Sequence, residues 1–121
     1  MDYFQHKLDD KNRLTLPAEL HQEFVSGLVL AQGFDSTIFL YPQHLWTNAV
    51  ERALAGEVID EENFRRNRQL RRGKVASKLD AKQGRVTLPQ HLLDYAGITK
   101  MVSATRITTS AGSYWALESQ Q

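Results

Sequence analysis

Arg13 follows Asp9 by four residues and Arg85 follows Asp80 by five. Each pair lies inside a near-copy of the other's surroundings, KLDDKNRLTLP at 7–17 and KLDAKQGRVTLP at 78–89. A guanidinium is a planar, permanently charged fork that can contact guanine O6 and N7 together or grip phosphate oxygens. A carboxylate a few residues upstream can hold that fork in one orientation and lower the ordering cost of binding. Lys7, Lys11, Lys78 and Lys82 surround the same segments and would supply the attraction for phosphate that dominates nucleic-acid affinity. The competing reading is a pair of Asp–Arg contacts that only tie down surface turns, where such pairs are worth roughly 0–1 kcal/mol. Taken alone, the residues leave the two readings level.

Other chemistries find less support. There is no cysteine, which removes disulfides, thiolate metal sites and cysteine nucleophiles. His6, His21, His44 and His91 show no metal-ligand spacing, and each reads as a surface residue. No glycine-rich loop cradles a phosphate, and no serine has a base nearby in sequence. No catalytic residue, metal ligand or cofactor is therefore expected. Phe39, Tyr41, Trp46, Tyr95 and Trp115 fall at apolar positions and read as core rather than as stacking platforms.

The elements that must position the arginines read alike in both copies. A short strand enters a polar turn, DDKN or DAKQG, in which Asn12 or Gly84 precedes the arginine. Both residue types accept the positive φ of a tight turn. RLTL and RVTL alternate polar and apolar residues, as a half-buried strand should. Pro17 and Pro89 end those strands and open PAELHQEF and PQHLLDYAG, two short helical stretches, with Gly97 as a stop. Further strands follow: GLVLAQGF and TIFLYP around Asp35–Ser36, then MVSATRI and YWAL around TTSAGS. Between the halves lie a helical block over 42–56 and a second from about Asp60 to Arg72, acidic at its start and basic at its end. The unit β-turn-β-α-β-β thus occurs twice, with a helical connector.

With 121 residues the chain can build one compact domain or two very small ones sharing a core. The opening MDYFQHKLDD is charged and lacks an apolar core, and apolar runs stay far below the ~20 residues of a membrane span, so a cytosolic protein is expected. The net charge of +1 hides a division. Residues 1–63 carry four basic and eleven acidic side chains, net −7, and residues 64–121 carry eleven and three, net +8. Such asymmetry suits head-to-tail attraction between subunits or a basic face for a polyanion. Arg65, Arg66, Arg68, Arg71 and Arg72 are the densest positive stretch. On a helix 65, 68 and 72 share a face and 66 lies off it, which favours a subunit-facing surface over a clamp on DNA.

The doubled motif, with GLVLAQGFDSTIFLYP after its first copy and QGRVTLPQHLLDYAGI running on from its second, resembles the MraZ family of bacterial transcriptional regulators, within the AbrB-like group. The resemblance runs from about Asp2 to the C-terminus. It implies an α+β fold of two tandem AbrB-like swapped-hairpin β-α-β halves, 1–45 and 74–121, forming an intrachain pseudo-dimer around a connector at 46–73. It also implies a ring-like homo-oligomer, cytoplasmic and nucleoid-associated, that binds repeated double-stranded promoter sites of the division and cell-wall gene cluster. The implied DNA-binding set is Lys7, Asp9, Lys11, Asn12, Arg13, Lys78, Lys82, Gln83 and Arg85, with neither membrane nor small-molecule substrate as partner. Asp9 to Arg13 fits the family's Asp-x-x-x-Arg. The second copy is one residue longer, and its spacing-matched position is Ala81. The extra residue must be absorbed near Gly84, as a bulge, or Arg85 is turned to the other face. The alternative function is an antitoxin-like module that uses the same fold to cap a protein.

Overall fold

LVLA and IFLY are continuous apolar runs, and a strand built from such a run needs cover on both faces. In the computed structural model, which describes residues 1–120, they form β3 (Leu28–Gln32) and β4 (Ile38–Pro42), joined by a turn with Asp35 and Ser36 at φ 56° and 57°. Leu28, Leu30, Ile38 and Leu40 face one hydrophobic cluster, while Val29, Ala31, Phe39 and Tyr41 face another. The alternation of Cβ direction along a strand assigns the two sets.

These strands sit inside a six-stranded antiparallel sheet with β1 (Tyr3–Lys7), β5 (Val75–Ser77), β7 (Met101–Thr109) and β8 (Gly112–Ser119), in the order β1-β7-β8-β4-β3-β5. Strands from the two repeats alternate as partners: β1 pairs with β7, β8 with β4, and β3 with β5. One face of the sheet carries a two-stranded ribbon, β2 (Arg13–Thr15) with β6 (Arg85–Thr87), a 3-10 helix over Ala18–Phe24 and the helix α4 (Gln90–Ala96). The other face carries the connector, with α1 (Gln43–Leu45), a π-helical turn at Trp46–Val50, α2 (Glu51–Leu54) and α3 (Glu61–Arg71). The order of strands and helices is the one expected from the repeat. The antiparallel sheet and four α-helices make an α+β arrangement.

Local chemistry explains the element ends. The Asp60 carboxylate accepts from Asn63 N–H at 3.2 Å and caps α3. Glu51 accepts from the Trp46 indole at 2.9 Å and from both Arg71 Nη atoms at 3.0 and 2.8 Å, which locks α3 to the start of α2. Gly97 ends α4 at φ 65°, and Ile98 N–H returns to Leu93 O at 3.0 Å. The first repeat's helix is 3-10 rather than α. It buries only Leu20 and Phe24, where α4 buries Leu92, Leu93 and Ala96. That narrower apolar stripe gives it less reason to complete an α-helical face. Trp46, Trp115, Phe39 and Tyr41 are buried and Tyr95 is half-buried, as the apolar pattern predicts. No helix among the described residues is long and apolar enough to cross a membrane.

Two glycines provide a matched test. Gly84 and Gly97 have nearly the same left-handed backbone, φ 63° and 65°. A Cβ at 97 would meet open space, whereas one at 84 would collide with the His21 imidazole. Gly97→Ala is expected to cost about 1 kcal/mol, the price of the conformation alone. Gly84→Ala should cost more, on the order of 3 kcal/mol, because strain and overlap add. Urea unfolding of both variants checks this, and equal losses would mean that His21 yields freely.

Candidate nucleic-acid interface

The ribbon pairs Arg13 with Thr87, Leu14 with Val86 and Thr15 with Arg85. Alternation sends Leu14 and Val86 into the core, at 0% and 1% exposure. The four flanking residues then share the opposite face. Arg13 and Arg85 therefore lie on one surface, although their aspartates stand at different spacings.

The turns show how. In the first, Asn12 N–H bonds to Asp9 O at 3.0 Å and Asn12 sits at φ 58°. In the second, the closing bond runs from Gly84 N–H to Asp80 O at 3.2 Å, one residue further along. Both end alike: Asp9 N–H donates to Arg13 O at 3.1 Å, and Asp80 N–H to Arg85 O at 3.0 Å. A four-residue turn has been widened to five. The insertion is spent before the strand begins, so no bulge is needed and Arg85 keeps its face.

Each carboxylate is consumed in fixing its turn and its arginine. Asp9 Oδ1 accepts from the backbone N–H groups of Lys11 and Arg13, both at 2.9 Å, and Oδ2 takes Arg13 Nε at 2.6 Å. Asp80 Oδ1 accepts from Gln83 N–H at 2.7 Å, and Oδ2 takes Arg85 Nε at 2.7 Å. Arg85 Nη1 also lies 3.9 Å from Asp9 Oδ2, so the two motifs form one cluster. The Arg13 backbone N–H, ahead of its guanidinium, holds the Asp9 carboxyl below the usual carboxylate range. The Gln83 backbone N–H, followed by the Arg85 side chain, lowers that of Asp80 from 3.8 to about 2. Because the carboxylates bind Nε, the Nη atoms of both arginines make no hydrogen bond among the described residues. The Nη edge of an arginine is a bidentate fork that fits phosphate or a guanine edge.

The other expected residues frame this cluster to different degrees. Lys11, Lys82 and Gln83 are exposed on the two turns, Lys7 ends β1, and Lys78 follows β5. None of the four lysines has an ion-pair partner among the described residues. Asn12 is half-buried, with its amide 3.4 Å from Gln90 Oε1. Sequence reasoning missed Thr15 and Thr87, which the alternation in RLTL and RVTL already put beside the arginines. It also missed His21, whose Nε2 bonds to Leu16 O at 2.9 Å beneath the second turn. No local pattern signals the packing of its ring against Gly84, because that contact joins the two halves.

The arginine run lies apart, on α3 and its end. Arg65 pairs with Glu61 at 2.6 Å, Arg66 with Glu62 at 2.8 Å and Arg71 with Glu51. Arg68 stacks over Phe64 at 5.1 Å. Neither it nor Arg72 has a carboxylate partner among the described residues.

Residues 1–67 match the family model described as "MraZ protein, putative antitoxin-like". The transcriptional regulator MraZ of Herpetosiphon aurantiacus is 35% identical over 102 residues, covering 84% of this chain and 71% of that protein. The Syntrophomonas wolfei protein of the same name is 35% identical over 116 residues, covering 95% and 79%. That of Roseiflexus sp. is 31% identical over 93 residues, covering 77% of this chain and 64% of its own length, so the chain spans a little less than two thirds of that relative.

The depressed Asp80 carboxyl sets a pH dependence. As pH falls, the unfolded chain takes up this proton first, at the ordinary value near 3.8, and the folded chain only near 2. The contribution to stability is thus complete above the ordinary value and disappears as pH drops toward about 2. Asp80→Asn is expected to be less stable than wild type by an amount that is constant from about pH 5 to 8 and closes in acid. Parallel denaturant titrations from about pH 8 down to about pH 2 measure it. A gap that persists undiminished at pH 2 would show that the charge of Asp80 is not its source.

Proposed function

The chain belongs to the MraZ family, and from that premise we propose that it is a transcriptional regulator that recognises double-stranded DNA through the exposed face of the β2–β6 ribbon. One observation carries the reading: two aspartate-oriented guanidinium forks lie side by side on a surface whose nearby lysines have no partner of their own. The lysines attract phosphate, and Arg13 and Arg85 engage base edges or phosphates with part of their ordering cost already met. The two halves act as interleaved AbrB-like swapped hairpins, 1–45 and 74–121, about the connector 46–73. One ribbon offers few contacts, so affinity comes from several copies of the chain engaging repeated promoter elements together. The targets are then repeats upstream of the division and cell-wall gene cluster, met in the cytoplasm at the nucleoid by a ring-like homo-oligomer. The alternative, an antitoxin-like module, would instead capture a protein.

A mobility-shift assay with DNA from directly upstream of the gene for this chain tests the proposal, and a protein that co-purifies while that DNA is ignored would favour the alternative. Log affinity should fall linearly with log salt, by about 0.9 per neutralised phosphate; binding indifferent to salt would overturn the mechanism. Because the register keeps both arginines on one face, Arg13→Ala and Arg85→Ala are each expected to cost about 1–3 kcal/mol on the cognate site and to narrow the gap to scrambled DNA. Circular dichroism establishes that both variants fold. Wild-type affinity in both would exclude the ribbon as the recognition surface.

A further inference from the structure

Of the five arginines between 65 and 72, three are engaged by carboxylates of this chain: Arg65 by Glu61 at 2.6 Å, Arg66 by Glu62 at 2.8 Å and Arg71 by Glu51 at 2.8 Å. Arg68 and Arg72 have no carboxylate partner among the described residues. Both line one hollow of about 370 Å³, together with Arg65, Gln32, Gln69 and Tyr95. Positions 65, 68 and 72 fall on one side of α3 and its end, where like charges three and four residues apart repel. An anion held in the hollow would relieve that repulsion.

The hollow has a braced floor. Gly33 O accepts from the Gln69 amide at 2.8 Å and from the Tyr95 hydroxyl at 2.5 Å. One carbonyl just past β3 thus ties α3, on one face of the sheet, to α4 on the other. A Cβ at Gly33 would overlap Thr37 and Phe39, so this carbonyl sits in closely packed surroundings. The Gln32 amide lies beside Gly73 and makes no hydrogen bond among the described residues, which leaves it free to donate to a ligand. Basic side chains at a helix C-terminus also offset the macrodipole. That role asks only for charge near the last turn. It does not require the two arginines that lack a carboxylate to share a concavity with a free amide.

We propose that this hollow binds a small molecule bearing a diphosphate, gripped by Arg68 and Arg72, with Arg65 and the Gln32 amide completing the donors. A guanidinium fork takes phosphate oxygens two at a time, and two uncompensated forks match two adjacent phosphoryl groups better than a single carboxylate. The volume lies within the range of roughly 300–1,000 Å³ common to small-ligand sites. Room therefore remains beside a diphosphate for an organic group against the half-buried Tyr95 ring. The hollow shares no residue with the β2–β6 ribbon, and the inference does not rest on DNA recognition there.

Isothermal titration calorimetry on the full chain at fixed ionic strength, with inorganic diphosphate and with ADP as probes, tests the site. Wild type is expected to take up one equivalent per chain. Tighter binding of ADP would identify an organic group as part of the ligand, and equal binding the diphosphate itself. Arg68→Gln/Arg72→Gln should weaken binding by roughly tenfold or more, whereas Arg13→Ala/Arg85→Ala should bind as wild type does. Both α3 side chains are exposed and glutamine is a good helix former, so the variant should fold, which circular dichroism checks. Arg72→Gln alone, one residue past α3, repeats the test with no change inside the helix. The inference is overturned by no heat from wild type, by undiminished binding in the α3 variants, or by loss of binding in the ribbon variant, which would put the phosphates on the other surface. An equal response to sulfate also overturns it, as an adventitious ion only. So does an α3 variant that loses affinity for DNA while neither probe binds wild type, since the hollow would then be a contact for nucleic acid.

Discussion

The pairing of Leu14 with Val86 is the contact on which the rest depends. Each is the single apolar residue of a three-residue strand, and each is almost wholly removed from water. Neither strand could hold itself as an isolated ribbon. They persist because Leu14, Leu16, Val86 and Leu88 share one cluster with the 3-10 helix, α4 and the inner face of the large sheet. That burial fixes the register, and the register decides which way the arginines point. A shift of one residue would bury two guanidinium groups and expose two core aliphatics, which is why the ribbon has one stable pairing rather than several.

The Asp–Arg contacts play a different part. Their side chains remain between 23% and 35% exposed, where an ion pair adds little to stability after screening and side-chain ordering. Their geometry is the useful product. Three bonds to the Asp9 carboxylate and two to that of Asp80 define the turns, and in each the last restrains the guanidinium by its Nε. The site is thereby organised before any ligand arrives, while the hydrophobic contacts below it supply the free energy of folding. Separation of these tasks lets a charged, partly wet surface sit on a rigid support.

Much of this was legible in the sequence. The period-two alternation in RLTL and RVTL identified the inner and outer faces, Asn12 and Gly84 marked the left-handed turn positions, and Asp60 and Gly97 marked helix ends. Those signals are local, carried by residues within four or five of each other. What could not be read was which strand meets which. The pairing of β2 with β6 joins residues 70 to 74 apart, and the bond from Tyr95 to Gly33 O spans 62. The fate of the inserted residue was also hidden, since a wider turn and a strand bulge require the same glycine. Only the closing bond from Gly84 to Asp80 distinguishes them.

The two halves are not interchangeable, and their differences compensate across the ribbon. The second turn rests on the first half's 3-10 helix, with Leu16 N–H bonded to Gly84 O at 3.0 Å and the His21 ring filling the space beneath. The first turn rests on the second half, with Leu88 N–H bonded to Asn12 O at 2.9 Å and Gln90 beside the Asn12 side chain. A glycine stands where an imidazole leaves no room for a Cβ, and an asparagine stands where a flexible side chain gives way. The choice of residue in each turn is thus dictated by the opposite repeat. Two copies of one motif in a single chain can diverge in this manner because each contact is made once, whereas two identical chains would have to make every contact twice with the same residues. The widened turn belongs to the same freedom. It alters one side of the ribbon, and the paired strand on the other side keeps the arginine-bearing face in place.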